Sequence, residues 1–328
     1  MRKKNYFKCV VVLMLIGFLL TACGSTLSKP DSNEPSTTKV LMEDKLTFEE
    51  GEERWVLGNN KIARSSIVTI TFLDALKDMP KEEAWDVSQE QNGTVMAWIK
   101  LTEQTQLDFE GYDLYITADG RIRASSGNSL FAGYENVTEI QFNNCFYTDG
   151  VTNMYTMFHS CGSLKNIDLH NFDTSQVTDM YCMFYDCNHL EQIDVNSFDT
   201  SKVTNMGHMF SRCIALTEID LSGFDTSQVT NMFVMFNDCR GMKELDLSKF
   251  KTEQVINMNS MFYDCTSLEK IDLSSFDTSR VTNMHAMFYD CVSLKSLDLS
   301  NFNASQVTDA ENLLYNAGIT AQEAGFPQ

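Results

Sequence analysis

Val151-Thr152-Asn153-Met154-Tyr155-Thr156-Met157-Phe158-His159-Ser160-Cys161-Gly162-Ser163-Leu164-Lys165-Asn166-Ile167-Asp168-Leu169-His170-Asn171-Phe172-Asp173-Thr174-Ser175-Gln176 is one copy of a unit that recurs every 26 residues. Further copies begin at Val177, Val203, Val229, Val255 and Val281, and a seventh begins at Val307 and decays. The register never slips. Each copy must supply one structural unit, and the units must stack, because an element of this size cannot bury its apolar face alone.

Within a copy, Met154, Met157, Phe158 and Cys161 fall at i, i+3, i+4 and i+7, the spacing of one face of a helix. Thr152 stands ahead of them as an N-cap. The second half reads Leu164-x-x-Ile167-Asp168-Leu169-x-x-Phe172, where alternation turns Ile167 and Leu169 inward and Asp168 outward along a strand. A 26-residue period lies inside the leucine-rich-repeat range. The expected fold is therefore an α/β solenoid with one short strand and one short helix per repeat and a parallel sheet on one face.

The string V-T-N-M-x-x-M-F-x-x-C-x-x-L-x-x-I-D-L-S-x-F-D-T-S resembles the repeat of the BspA-like family of leucine-rich-repeat surface lipoproteins, a mycoplasma-lipoprotein-type repeat. The likeness covers roughly residues 84 to 318, including Trp85-Asp86-Val87-Ser88, Val95-Met96-Ala97-Trp98 and Tyr112-Asp113-Leu114-Tyr115-Ile116 ahead of the array. It implies an adhesin-like binder of host matrix or host protein. The string is broken at Met242, which replaces the repeat leucine, at Lys251 and Glu253, and at Asn303-Ala304.

A solenoid needs modified ends, since its terminal repeats expose core that inner repeats cover. At the C-terminal end, Ala310, Leu313, Leu314 and Ala317 replace the Met, Met-Phe and Cys positions, marking 307–328 as a capping partial repeat that keeps the helix. At the N-terminal end, Phe131, Val137, Ile140, Phe142 and Phe146 echo the repeat with one residue of slippage, so 125–150 reads as a degenerate first copy ahead of six full ones in 151–306. Residues 45–124 read as a small, mostly β entry region. In it, Val95, Ala97, Ile99 and Leu101 alternate along one strand, and Ile116–Arg123 suggests a hairpin turning at Asp119-Gly120.

Residues 1–22 have the layout of a secretory signal, with Arg2, Lys3 and Lys4 before an apolar run too short to span a bilayer comfortably. Leu20-Thr21-Ala22-Cys23 resembles the bacterial lipobox, whose cysteine is acylated and becomes the first residue after cleavage. Cys23 would then anchor the chain at the extracellular face of the bacterial membrane, and a two-chain lipid is a stable anchor. Residues 23–44, polar and proline-containing, read as a flexible tether.

The 328-residue chain has a formal charge of −20, and removing Arg2, Lys3, Lys4 and Lys8 with the signal makes it −24. Nucleic acid is an unsuitable partner, because phosphate binding needs clustered basic residues. An acidic surface favours solubility, basic partners or divalent cations.

The strand aspartates Asp168, Asp194, Asp220, Asp246, Asp272 and Asp298 are expected to form a column on the concave face, about 4.8 Å apart. Like charges at that spacing call for compensation by cations, a basic ligand or local hydrogen bonds, and serine hydroxyls such as those of Ser222, Ser248, Ser274 and Ser300 are the simplest source. The outward neighbours differ from copy to copy, as Asn166, Gln192, Glu218, Glu244, Lys270 and Ser296 show. On the convex side, Tyr155, Tyr181 and Phe233, with Tyr185, Tyr263 and Tyr289 nearby, form a candidate aromatic patch.

Cys161, Cys187, Cys213, Cys239, Cys265 and Cys291 sit on the buried face, where a free thiol acts as a small hydrophobe. Neither their spacing nor that of His159, His170, His189, His208 and His285 has the pattern of a zinc site or a nucleophile with its base. No metal, cofactor or catalytic group is expected.

The sequence thus points to a lipid-anchored surface protein that binds a protein or glycan. An envelope-organising lipoprotein that binds its own cell wall is the alternative. A glycosidase built on carboxylates of residues 45–124 is a third reading, set back by the lack of histidine and cysteine there. Oligomeric state is left open.

Overall fold

The computed structural model describes residues 39–43, 54–104 and 107–327. The signal, Cys23 and most of the stretch read as a tether lie outside them. Among the described residues no helix is long and apolar enough to cross a membrane.

The repeats stack as expected, but the expected helix does not form. Across Met154–Cys161 the backbone makes successive tight turns, with Met157 N–H donating to Met154 C=O, His159 to Thr156, and Cys161 to Phe158. Alternate amides point out of the repeat altogether. The N–H groups of Met154, Thr156, Phe158 and Ser160 donate to the carbonyls of Asp179, Tyr181, Met183 and Tyr185 at 2.8–2.9 Å. The same rungs run on to Asp290 donating to Tyr315.

This geometry requires left-handed backbone twice per repeat. Thr156, Cys182, His208, Val234, Ser260, Ala286 and Asn312 occupy one such position, and Ser160, Asp186, Arg212, Asp238, Asp264, Asp290 and Asn316 the other, with φ between 51° and 62°. The one short helix per repeat, and the α/β solenoid built on it, are therefore corrected to a ladder of stacked turns. The Thr152 N-cap falls with the helix. Asn153 instead accepts the N–H of Tyr155 on its side-chain oxygen, at 2.7 Å, an Asx turn that opens the run.

The physical reason is length. An eight-residue helix leaves most of its end groups without intrahelical partners. In the ladder the alternate amides are paired by the next copy. The apolar pattern nonetheless reported burial correctly: Met154, Met157, Phe158 and Cys161 and their equivalents in the next five copies are fully or almost fully buried. Phe158, Phe184, Phe210, Phe236, Phe262 and Phe288 stack ring on ring at 5.2–5.8 Å. Each periodic thiol donates to a phenylalanine carbonyl in the preceding copy, as Cys213 does to Phe184 at 3.3 Å.

The ladder makes a test that a helix would fail. Ser260→Gly, in the left-handed position at φ 52°, is expected to leave stability unchanged or raise it by about 0.5–1 kcal/mol in urea unfolding. In a helix the same change would cost about 0.5 kcal/mol, so a loss of that size would reject left-handed backbone there.

A second seam holds the other side. Thr148, Thr174, Thr200, Thr226, Thr252 and Thr278 are buried, and each hydroxyl donates to a carbonyl of the next copy at 2.9–3.2 Å. The recurrence of threonine at this place in the unit thus has a packing cause.

Ten strands occur among the described residues: β1 (Lys39–Leu41), β2 (Ile67–Leu73), β3 (Trp85–Asp86), β4 (Met96–Leu101), β5 (Tyr112–Thr117), β6 (Ile122–Ala124), β7 (Glu139–Gln141), β8 (Phe146–Tyr147), β9 (Glu244–Asp246) and β10 (Lys270–Asp272). The entry region is β-rich as expected. Its larger sheet has the order β3-β4-β5-β2-β7 and its smaller one β1-β6-β8. Both β7 and β8 belong to the degenerate first copy, so its strand segment runs on into the larger entry sheet and its threonine seam into the smaller one.

Two entry-region expectations change. Asp119-Gly120 is not a hairpin turn, because β5 pairs with β2 and β4 while β6 pairs with β1 and β8. The turn, with Gly120 at φ 97°, instead carries the chain from one sheet to the other. Residues 39–41, placed in the tether, form a parallel strand on β6.

Candidate functional site

The strand face comes first, because its side chains vary most. In every copy the aspartate side chain accepts the N–H two residues on: Asp168 from His170 at 3.1 Å, Asp194 from Asn196 at 3.0 Å, and Asp220, Asp246, Asp272 and Asp298 from the following serines at 2.9 Å. All six are exposed. The serine hydroxyls and N–H groups hold Asp246, Asp272 and Asp298 below the usual carboxylate range. At Asp220 the backbone N–H of Ser222 acts first and its hydroxyl second. At Asp168 slight burial opposes the lowering, and the His170 ring and N–H prevail. Local hydrogen bonds are therefore what stabilises the column.

The strand face is not uniformly closed. β9 and β10 pair in register, and Lys270 bridges onward to Ser296. No such bridge joins segments 166–168, 192–194 and 218–220, while the turn ladder opposite stays paired through every one of these copies. Ile193 and Ile219 are consequently half-buried, where Leu245, Ile271 and Leu297 are buried. A hollow of about 540 Å³ results, lined by Asn166, Gln192, Asp194, Asn196, Glu218 and Asp220 over the three isoleucines.

This arrangement also shifts the meaning of the column. The repeats come closest along the turn ladder, with phenylalanine rings 5.2–5.8 Å apart, whereas Phe198–Phe224 and Phe276–Phe302 across the body are 6.5 Å apart. Asp194 and Asp220 thus border the gap between copies on the looser side, while Asp246 and Asp272 lie on paired strands.

The aromatic side chains do gather on the turn face, in two groups. Tyr263, Tyr289 and Tyr315 stack at 4.7 and 4.8 Å. Tyr155 stacks on Tyr181 at 5.3 Å, and His159, Tyr185, His208 and Phe233 form a connected cluster beside them. Since the inner rings spend their faces on each other, they offer mostly edges to a ligand.

Burial pushes His159 and His208 down to about 4. In the unfolded chain they titrate near 6.5, so between pH 6.5 and 4 the unfolded state binds more protons and stability falls as pH falls. The lowered aspartates act in a lower window, losing their contribution only as pH drops below about 3.8 toward their folded values. Urea midpoints are expected to decline from pH 6.5 to pH 4, and His208→Phe to flatten that decline. An unchanged slope in the variant would rule out His208 as its source.

Charge ladders at the second left-handed position escaped the sequence reading. Arg212 pairs with Asp186 at 2.8 Å, and Arg240 pairs with Asp238 at 2.5 Å and Asp264 at 2.6 Å. The signal was present, because Asp186, Arg212 and Asp238 lie one period apart. All eight described cysteines are buried, and their thiol pKa values are raised by burial wherever a shift is seen. No group of three or more His, Cys, Asp or Glu side chains is placed to share a metal ion among the described residues.

Residues 126–245 and again 213–325 match a family model described as "Mycoplasma protein of unknown function, DUF285". The two matches span the degenerate first copy, the six full copies and the capping segment. No curated protein and no solved structure matched the chain.

Proposed function

We propose that this chain, which belongs to the family described as Mycoplasma protein of unknown function, DUF285, is a surface-displayed binding protein that holds a protein or glycan and performs no catalysis. The observation that carries the reading is the hollow on the strand face of the first three copies. There a rigid stack opens between copies and presents side chains that differ at each step. Repeat proteins vary recognition in this way, by changing outward residues on a fixed frame.

The Leu20-Thr21-Ala22-Cys23 motif supports display at the extracellular face of the membrane through a lipid on Cys23. The likeness of the repeat string to BspA-like surface lipoproteins supports an adhesin-like target. The acidic charge directs both readings toward neutral or basic ligands.

The test is binding of the purified chain from Ser25 onward to immobilised host-matrix proteins and to envelope glycans. Saturable matrix binding that falls about tenfold or more in a Gln192→Ala/Glu218→Ala double variant is the expected result. Binding to envelope glycans alone would replace it with the envelope-organising reading, and binding indifferent to the double variant would remove the hollow as the site.

A further inference from the structure

The two ends of the turn ladder are finished differently. At the start, Arg64, which is fully buried, donates through Nη1 to Ala132 C=O at 2.6 Å, a carbonyl of the ladder's outer edge, and to the turn carbonyl of Ser129 at 3.2 Å. At the other end, segment 318–325 folds over the strand side, with Leu299 N–H donating to Ala324 C=O and Gly318 N–H to Cys291 C=O. The final turn rung is left outside that cover.

That rung runs from Asp309 to Asn316. Its carbonyls at Asp309, Glu311, Leu313 and Tyr315 are taken by Met284, Ala286, Phe288 and Asp290. Its alternate amides at Ala310, Asn312, Leu314 and Asn316 are the equivalents of those donors, and they donate to no group among the described residues. Asn312 and Asn316 keep the left-handed backbone of the ladder, at φ 59° and 53°, so the four amides are set as in an inner rung. Beside them lies a hollow of about 580 Å³ lined by Leu314, Tyr315, Ala317, Ile319 and Phe326. Tyr315 is 57 % exposed, so the stack of three tyrosines ends on an uncovered ring.

We propose that this open rung takes up one segment of a partner protein, folded into the same run of turns, as a further rung paired through its backbone carbonyls. Hydrogen-bond polarity selects the occupant. A second copy brought open end to open end would present donors to donors, and at the opposite end of a copy Arg64 already holds the Ala132 carbonyl. A free anion meets the carboxylates of Asp309 and Glu311 beside the row. A segment that adopts the turn conformation of an inner rung offers neutral carbonyl acceptors to all four amides, by the main-chain pairing that joins a strand to a sheet edge. An apolar side chain on it fills the hollow, and a basic one faces Glu311, which is exposed.

The probe is a synthetic peptide of residues 203–213 carrying Cys213→Ser. Within the chain, its Asn205, Gly207, Met209 and Ser211 carbonyls accept from the rung before it, and it carries His208 and Arg212. Hydrogen exchange on the chain alone is expected to be fast at Asn312, Leu314 and Asn316 and slow at Ala286, Phe288 and Asp290. Saturating peptide is expected to slow the first set about tenfold or more, a scrambled peptide to leave them fast, and Glu311→Arg to weaken binding about tenfold. The Gln192→Ala/Glu218→Ala variant is expected to bind the peptide unchanged, which separates this site from the strand-face hollow. Slow exchange at the final rung in the chain alone, protection that grows with chain concentration, or equal effects of the two peptides would each overturn the proposal.

Discussion

Phe210→Ala will lower the unfolding free energy by about 3–5 kcal/mol, the range for emptying a phenylalanine site that cannot collapse. Collapse is blocked here on every side. Phe210 is fully buried, with the rings of Phe184 and Phe236 stacked at 5.7 and 5.8 Å. Its own N–H donates to Met235 and its carbonyl accepts the thiol of Cys239 at 3.2 Å, so the backbone is pinned to the next copy.

The position adds a second consequence. In a stacked array each copy touches only its neighbours, so stability is a sum of copies and interfaces. A cavity at the middle of the stack weakens the junction between two halves, and urea unfolding should separate into two steps, with the half joined to the entry sheets melting last. Phe288→Ala, nearer the open end, should cost a similar free energy but keep a single main step. A loss below about 1 kcal/mol for Phe210→Ala would mean that the rings do not pack as a column.

Arg64→Met should cost about 3 kcal/mol and act at the opposite end. The guanidinium donates to the carbonyls of Trp55, Ser129 and Ala132 and lies 4.7 Å from the ring centre of Tyr134. Methionine fills comparable space but donates nothing, and each abandoned buried carbonyl costs about 1–3 kcal/mol before relaxation. Burial lowers the Arg64 pKa from its ordinary value, yet a guanidinium stays charged across the accessible range. The loss should therefore be nearly independent of pH from 5 to 8. Hydrogen exchange should speed first at Phe131 and Gly133, whose rung Arg64 covers. Fast exchange spread evenly over the array instead would show that Arg64 is not an end cap.

Much of this was legible in the residues. Valine-to-valine spacing gave the period, and Met154, Met157, Phe158 and Cys161 were assigned to the core by their spacing alone. The alternation of Ile167, Asp168 and Leu169 gave the direction each side chain faces. Ala310, Leu313 and Ala317 marked the last copy as altered. The helical spacing does not give a helix, because a 3.6-residue period and a chain of tight turns put the same positions inside. Asp, Asn, Ser and Thr at the left-handed positions are compatible with turns, but Val234 and Ala286 share those positions and hid the signal.

The strand-face hollow and the open rung were not legible at all. Gln192 and Glu218 were visible as varying residues, but whether their strands pair depends on how closely neighbouring copies approach. The sequence by itself determined the repeat, its register and its buried face, because burial of apolar side chains is written into spacing within one copy. Only the tertiary structure decided where the amides go, because each ladder donor finds its acceptor in the next copy, 25 residues away. Backbone conformation here is set by a partner that no window of a single repeat contains.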